Sequence, residues 1–257
     1  EQPVLVGILR LLVGHALRRA DRVVAIGPVM RDRLVAKGAN AERMTVIPNW
    51  VDTAAITPQP RNNPWSSQKR LDGRFVVMHS GNVGHAQNLE TLIRAAALLE
   101  DVEQLSIVIV GFGARHAATI ELARAIAPGR ISFLPYQPRE RLPDSLSTAD
   151  VHYVGLPTGL AGYVVPSRVY GILAAGRPII AAVDEESETA ALVRGAGCGV
   201  VVSASDPSAV ASAIRAAVNG EHDLAEMGRR GREWVETNAT RDAALARYKQ
   251  LLADVIG

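Results

Sequence analysis

The 257-residue chain predicts an α/β fold in which a mainly parallel sheet is covered by helices on both faces. Runs such as Leu-Ser-Ile-Val-Ile-Val at 105–110 and Ile-Ile-Ala-Ala-Val at 179–183 are apolar nearly throughout, without the in–out alternation of a half-exposed strand, and so read as strands buried on both sides. Helix-length segments separate these runs, so successive strands need crossover connections and run parallel. Glycine-bearing turns join strand ends to helix starts at 81–88, 111–115 and 159–167.

Composition sets outer bounds. With 48% hydrophobic residues the chain can bury one or two sizeable cores. Its 28 basic and 26 acidic residues leave a net charge of +2, too weak a field to argue for nucleic acid. Lys37, Lys69 and Lys249 are the only lysines, so the abundance of arginine is a compositional bias and carries no binding signal. Cys198 stands alone, which excludes an internal disulfide and fits a reducing compartment; at a strand start it reads as a small buried thiol. The six histidines are scattered and no Asp-x-Asp pair is present, so no metal site can be read.

Taken in order, Pro3–Leu17 is a helix interrupted by Arg10 and His15, shorter than the roughly 20 apolar residues a bilayer demands and expected to pack on a sheet, with a surface-seeking helix as the alternative. Arg22–Ile26 is a strand, Pro28–Lys37 a helix and Met44–Asn49 a second strand. Residues 57–72 hold Pro58, Pro60 and Pro64 with two Asn and two Ser, the composition of a linker at a domain boundary. Strands follow at Phe75–His79, Leu105–Val110, Ile131–Leu134 and Val151–Gly155, alternating with helical segments at Leu89–Leu99, His116–Ile126 and Arg139–Thr148. In the next segment Pro166 suits a helix entry, Ser167 an N-cap, Val169–Ala175 two turns and Gly176 a stop. Strand Ile179–Val183, helix Glu188–Gly195, strand Val200–Val202 and helices Pro207–Val218, Leu224–Thr237 and Thr240–Ile256 complete the chain.

In such a sheet ligands bind beyond the carboxyl ends of the strands. Four loops converge there: Gly81–Asn88, Gly111–Arg115, Tyr136–Arg139 and Gly159–Ser167. Backbone N–H groups around Gly162–Ser167, at a helix start, are placed to hold an anion. Gly111-Phe112-Gly113 lacks the third glycine of a dinucleotide fingerprint. Each candidate has a plainer reading: Ser167 only caps a helix, Arg168 is a surface arginine, Tyr136 is a half-buried tyrosine and Glu188 a first-turn glutamate.

The ordered motifs Arg19-Ala-Asp-Arg-Val-Val-Ala-Ile, Val46-Ile-Pro-Asn-Trp-Val-Asp52, Ser80-Gly-Asn-Val-Gly, Ile109-Val-Gly-Phe-Gly113, Ala149-Asp150, Pro166-Ser167-Arg168 and Ala174-Ala-Gly-Arg-Pro178 resemble those of the retaining, nucleotide-sugar-dependent glycosyltransferases with two facing Rossmann-like domains, the GT-B fold of family 4, and the branch that builds bacterial exopolysaccharide and O-antigen. The resemblance implies a carboxyl-terminal domain that binds the nucleotide sugar, an amino-terminal domain that binds the acceptor, and a last helix crossing back to the first domain. It makes residues 1–50 the end of an acceptor domain, 51–73 a linker, 74–239 the donor domain and 240–257 the crossover helix, so the sequence is expected to be a fragment. The donor-binding candidates are Gly81, Asn82, Gly111, Gly113, Arg115, Tyr136, Gly162, Tyr163, Ser167, Arg168 and Glu188; the resemblance implies Tyr136 beside the base, while Glu188, starting a helix near the same edge, is expected on sugar or ribose hydroxyls, and no catalytic residue is assigned. The expected partners are a UDP- or GDP-sugar and a glycan or lipid-linked acceptor, without a metal, in the cytoplasm with a peripheral contact at the inner membrane face. Against the family pattern, Asn82 and Gln87 stand where many relatives carry a basic pair, Tyr163 and Gly171 replace two glutamates, and Ala161 replaces another found in some exopolysaccharide enzymes. Backbone amides, with Arg115 or Arg168, must then meet the diphosphate charge. A nucleotide-sugar epimerase of the same fold and a non-catalytic sugar-nucleotide-binding module are the alternatives.

Overall fold

The computed structural model describes residues 3–256. The chain enters through α1 (Pro3–Arg19), β1 (Val23–Ala25), α2 (Pro28–Ala36) and β2 (Met44–Val46), with β1 and β2 paired in parallel as a small two-stranded sheet. Contrary to expectation, α1 does not bury an apolar face: Leu5, Ile8, Leu9, Leu11 and Leu12 are exposed, and Gly14 is its one fully buried position among those described. The helix packs instead through its small residue: a Cβ on Gly14 would lie 3.6 Å from the Lys37 carbonyl oxygen, and the apolar side chains face away from that contact. No helix among the described residues is long and apolar enough to cross a membrane.

The segment that reads as a linker is folded. Within it α3 (Pro64–Gln68) is nucleated by a capping box, in which the Asn63 side chain accepts from the Trp65 and Ser66 amides while Ser66 Oγ accepts the Asn63 N–H at 2.9 Å. Pro64, taken as a linker mark, occupies the first helical position, where its missing N–H and fixed φ do no harm. Trp65 is 1% exposed and packs with Leu71, Val76, Met78, Val108, Val110 and Ala149. Arg61 ties the same segment down through Asp150.

Beyond it lies one six-stranded parallel sheet: β3 (Phe75–Ser80), β4 (Leu105–Val110), β5 (Ile131–Leu134), β6 (Val151–Gly155), β7 (Ile179–Ala182) and β8 (Gly199–Val202), in the order β5-β4-β3-β6-β7-β8. The interleaved helices are α4 (Leu89–Ala97), α5 (His116–Ile126), α6 (Leu142–Ser147), α7 (Arg168–Ala174), α8 (Glu188–Ala196) and α9 (Pro207–Val218), followed by α10 (Leu224–Asn238) and α11 (Arg241–Ile256). Alternate strand residues serve opposite faces. Val77, Ile107, Ile109 and Tyr153 meet α4 and α9, while Val154, Ile179 and Ala181 meet α7 and α8. Cys198 is fully buried in the second cluster, where burial pushes its thiol up to about 12. At the end of the chain, Val51 bridges to Thr240 and Trp50 meets Tyr248 edge-on, so α11 starts against residues 50–52.

The folded linker yields a stability prediction. Trp65→Ala should cost roughly 3–5 kcal/mol in denaturant unfolding, as for a large core side chain; a loss below about 1 kcal/mol, the range of surface changes, would return 57–72 to the status of a tether.

Acid sensitivity follows from two buried imidazoles. His79 and His152 are fully buried, each with an unpartnered Nδ1; burial lowers His152 to about 4 and His79 well below its usual 6.5, with the Arg168 charge assisting at His79. The unfolded chain therefore binds more protons than the folded one between about pH 4 and 6.5. Stability is complete above about pH 6.5 and falls as the pH drops toward about 4, by up to about 1.4 kcal/mol per pH unit for each histidine. Urea unfolding at about pH 7 and about pH 5 measures it, and His152→Asn should flatten the dependence.

Candidate functional site

Strand order reverses between β3 and β6, the two central neighbours whose chains continue to opposite halves of the sheet. A crevice opens beyond their carboxyl ends because the connections that leave them diverge. It forms a cavity of about 660 Å³ bounded by Ser80, Gly81 and Asn82 after β3, Tyr136 and Gln137 after β5, and Val164–Arg168 before α7. Leu142 and Leu146 of α6 supply apolar wall, and Trp50, Val51 and Ile56 the rim.

The loop after β3 is pressed against the turn after β4. A Cβ on Gly111, where φ is +140°, would overlap the Gly81 carbonyl oxygen, and one on Gly113 would overlap Asn82 Oδ1 and lie 2.5 Å from the Val83 carbonyl oxygen. Gly111 and Gly113, expected to touch the ligand, do not line the cavity. They let two loops approach, and the Val83 N–H donates to the Phe112 carbonyl across them. From below, His79 faces the Asn82 carbonyl at 3.1 Å through Nε2; as a neutral imidazole with its proton on that nitrogen it donates and fixes the loop. Asn82 and Gln87 line the cavity as neutral amides, and Gln87 Oε1 accepts the Gly84 N–H at 2.9 Å. Composition alone gave no reason to single out His79, since its role comes from a contact within the folded loop.

Arg168 is the cation of the cavity. Far from the surface arginine of the plainer reading, it is half-buried; its one hydrogen bond runs from Nη2 to the Gly155 carbonyl at 3.2 Å, and its Nε is enclosed without a partner. Among the described residues no carboxylate lies within 4.0 Å of it, and the lining of this cavity contains no Asp, Glu or His. Burial lowers its guanidinium to about 10, so it remains charged at neutral pH. Ser167 lines the cavity too, but not as the side-chain cap expected: its backbone is already helical at φ −60°, ψ −24°, and its hydroxyl caps nothing. The expected bank of free amides is partly occupied. Tyr163 and Val164 donate to the Leu160 carbonyl, Val169 to Pro166 and Tyr170 to Ser167.

Tyr136 stands exposed at the opposite side, its hydroxyl donating to the Phe112 carbonyl at 3.1 Å. The neighbouring Gln137 is held by buried Trp65, whose indole N–H donates to Gln137 Oε1 at 2.8 Å, while the Gln137 amide donates to the Pro135 carbonyl at 2.7 Å. Gln137 and Trp65 thus fix this wall; the Asn63-Pro64-Trp65-Ser66 capping pattern was the available signal.

The other candidates stand elsewhere. Arg115 lines a separate cavity of about 300 Å³ between α4 and α5. Gly162, at φ +71°, is backed against Arg33 and Val29 of α2, and Tyr163 lies beneath Arg33 and Lys37 at 4.4 and 4.6 Å from its ring centre. Glu188 Oε1 accepts the Met30 N–H at 2.7 Å, again on α2. These three meet α2, which no local pattern could show. The principal cavity can therefore seat a flat, partly apolar group with an anion at Arg168, and its lining holds no carboxylate or imidazole for proton transfer.

The sequence model for "Glycosyl transferases group 1" matches residues 62–234, and that for "Glycosyltransferase Family 4" matches residues 3–55. Among curated proteins, the putative colanic acid biosynthesis glycosyl transferase WcaI of Escherichia coli is 29% identical over 94% of the chain. The probable glycosyltransferase WbjE of Pseudomonas aeruginosa is 28% identical over 94% of it. The chain spans 58% and 60% of those two proteins. Among solved structures, Anabaena HepE in complex with UDP and glucose superposes with a TM-score of 0.81 at 19% identity, covering 95% of this chain and 66% of that one. Sucrose-phosphate synthase from Thermosynechococcus elongatus gives 0.80 at 23%, covering 97% and 62%. At these identities the structural likeness is one of fold.

The loop packing is testable with two glycines of positive φ. Gly73, at φ +72°, has open space where a Cβ would go, whereas Gly111 has the Gly81 carbonyl there. Gly73→Ala should cost about 1 kcal/mol of stability through backbone strain alone, and Gly111→Ala about 2–4 kcal/mol, because overpacking adds to it. Equal costs in thermal or urea unfolding would mean that the loops do not depend on the close approach.

Proposed function

The chain belongs to the glycosyl transferases group 1 family, and from that premise we propose that it carries the donor site of an enzyme that moves a sugar from a UDP- or GDP-sugar to a glycan or lipid-linked acceptor, with retained anomeric configuration, in bacterial surface-polysaccharide synthesis. The observation that carries this reading is Arg168: a half-buried guanidinium with an enclosed, unpartnered Nε, in a cavity whose lining holds no carboxylate. An unpaired buried charge costs several kcal/mol, and a ligand phosphate would offset that cost. Tyr136 then flanks the base, and the Gly81–Asn82 loop closes over the diphosphate from the β3 side. As the glycosidic bond breaks, negative charge grows on the leaving diphosphate, where a fixed guanidinium stabilises it more than it stabilises the ground state.

Three further features support the proposal. The fold neighbour HepE forms a complex with UDP and glucose, and WcaI carries colanic acid biosynthesis in its name. An epimerase would need acid and base groups at the sugar, and this cavity's lining supplies none. The same lack leaves a divalent ion no carboxylate ligand here, only neutral hydroxyl and amide oxygens, so nucleotide binding is proposed to be metal-independent. For placement we propose the cytoplasmic membrane face, on the strength of the exposed apolar side chains of α1 and its terminal Arg18 and Arg19.

Calorimetry with UDP and GDP tests the donor reading. One of them should bind at millimolar concentration or below, and chelator should leave the affinity within about threefold, less than the 1.4 kcal/mol of a tenfold change. Arg168→Met should weaken binding about 10- to 100-fold, the worth of a charge-assisted hydrogen bond, while leaving unfolding of the unliganded chain unchanged or shifted upward because an uncompensated charge has gone. Unaltered affinity in a folded Arg168→Met chain would refute the assignment.

A further inference from the structure

Helix α2 lacks a cap of its own. Gly27 at its N-cap has no side chain, Pro28 at the first position has no N–H, and the Met30 amide in the first turn is left to find an acceptor. That acceptor comes from across the molecule: Glu188 Oε1, on the first residue of α8, takes the Met30 N–H at 2.7 Å over a separation of 158 residues. Glu188 is 9% exposed, and its Oε2 is enclosed without a partner. Space for it exists only because residue 27 is glycine. At φ −168° any residue could adopt that backbone, but a Cβ there would overlap Glu188 Cγ and come within 2.7 Å of Oε1. Glu188 also lies close enough to buried Tyr170 of α7 to add to the rise of its phenol pKa to about 12, after burial itself. Elsewhere along α2, Val29 and Arg33 back onto Gly162, and Arg33 with Lys37 at the helix C-cap covers the Tyr163 ring, so the loop that leads into Val164–Arg168 rests on the same helix.

We propose that Glu188 is a positioning residue: it caps α2 from the six-stranded unit, and through α2 it holds the 159–165 loop in the shape that sets Arg168 in the cavity. The cap stands on geometry alone; its effect on Arg168 rests on the donor-site reading above. A carboxylate held against a helix N-terminus is favoured by both the hydrogen bond and the helix dipole. This charged contact joins the two parts of the chain, in addition to the packing of α2 on Gly162 and Tyr163 and the covalent path through residues 51–73.

Amide hydrogen exchange of α2, read beside UDP calorimetry, tests this. Glu188→Ala should speed exchange at Met30 and its helical neighbours about tenfold, the effect of losing a cap, with β3 and β4 amides unchanged, and should weaken UDP several-fold. Glu188→Gln keeps an acceptor and should restore most of both. Gly27→Ala should reproduce Glu188→Ala by displacing the side chain, and should add nothing in a Glu188→Ala background. Unchanged α2 exchange in Glu188→Ala and Gly27→Ala would overturn the cap. Faster exchange with unchanged UDP affinity would overturn the positioning role. Failure of the unaltered chain to bind UDP or GDP at all would instead remove the donor reading, and the exchange comparison would still decide the cap.

Discussion

Everything in this molecule that bears on a ligand depends on one topological constraint, the reversal of strand order at the β3–β6 pair. Parallel strands need right-handed crossovers, so once the chain has built outward to β5 it must return to β3's other edge to place β6. The connections leaving β3 and β6 go to opposite faces and leave the carboxyl ends of these strands uncovered. The loops that fill the edge of that crevice are not free-standing. The β3 loop is clamped between His79 beneath it and the Gly111–Gly113 turn beside it, and the wall after β5 is pinned by Trp65 through Gln137.

Into this rigid frame the fold sets a charge that it does not neutralise. Some arginines meet carboxylates, as Arg61 meets Asp150 and Arg215 meets Asp101, and Arg177, which like Arg168 has one backbone carbonyl and an enclosed Nε, lies outside the cavity. Arg168 has only one backbone carbonyl. Such an arrangement lowers the stability of the empty protein and raises the gain when an anion arrives, the pattern expected where function and stability pull apart. With neutral Asn82 and Gln87 in the first loop, a single guanidinium carries the local charge, and its neighbour His79 is kept neutral by burial and by that same charge.

Much of the sheet was legible because its signals are local. The ends of β5, β6, α5 and α9 fall at the residues where apolar runs begin and stop, and Asp206 caps α9 by accepting from Ser208 and Ala209. Where reading failed, the deciding partner was distant in sequence or overrode a composition rule. Prolines at 58, 60 and 64 concealed a capped helix whose tryptophan fills a core. Ser167 looked like an N-cap, but its backbone is already helical and its hydroxyl makes no capping hydrogen bond. Gly162, Tyr163 and Glu188 lie near the site in sequence, yet their contacts are with α2, more than 120 residues earlier. The convergence of Gly81, Asn82, Tyr136, Ser167 and Arg168 on one cavity was readable from the alternation of strands and helices, which puts the loops after the strands at one edge, whereas the burial of Arg168 was not.

A crystal structure of this chain with UDP or GDP would test the central claim most directly. The account predicts the nucleotide in the crevice between the carboxyl ends of β3 and β6, with a phosphate oxygen within hydrogen-bonding distance, about 3 Å, of the Arg168 guanidinium and the base beside Tyr136. A nucleotide bound elsewhere, or one seated here with its phosphates turned away from Arg168, would contradict it.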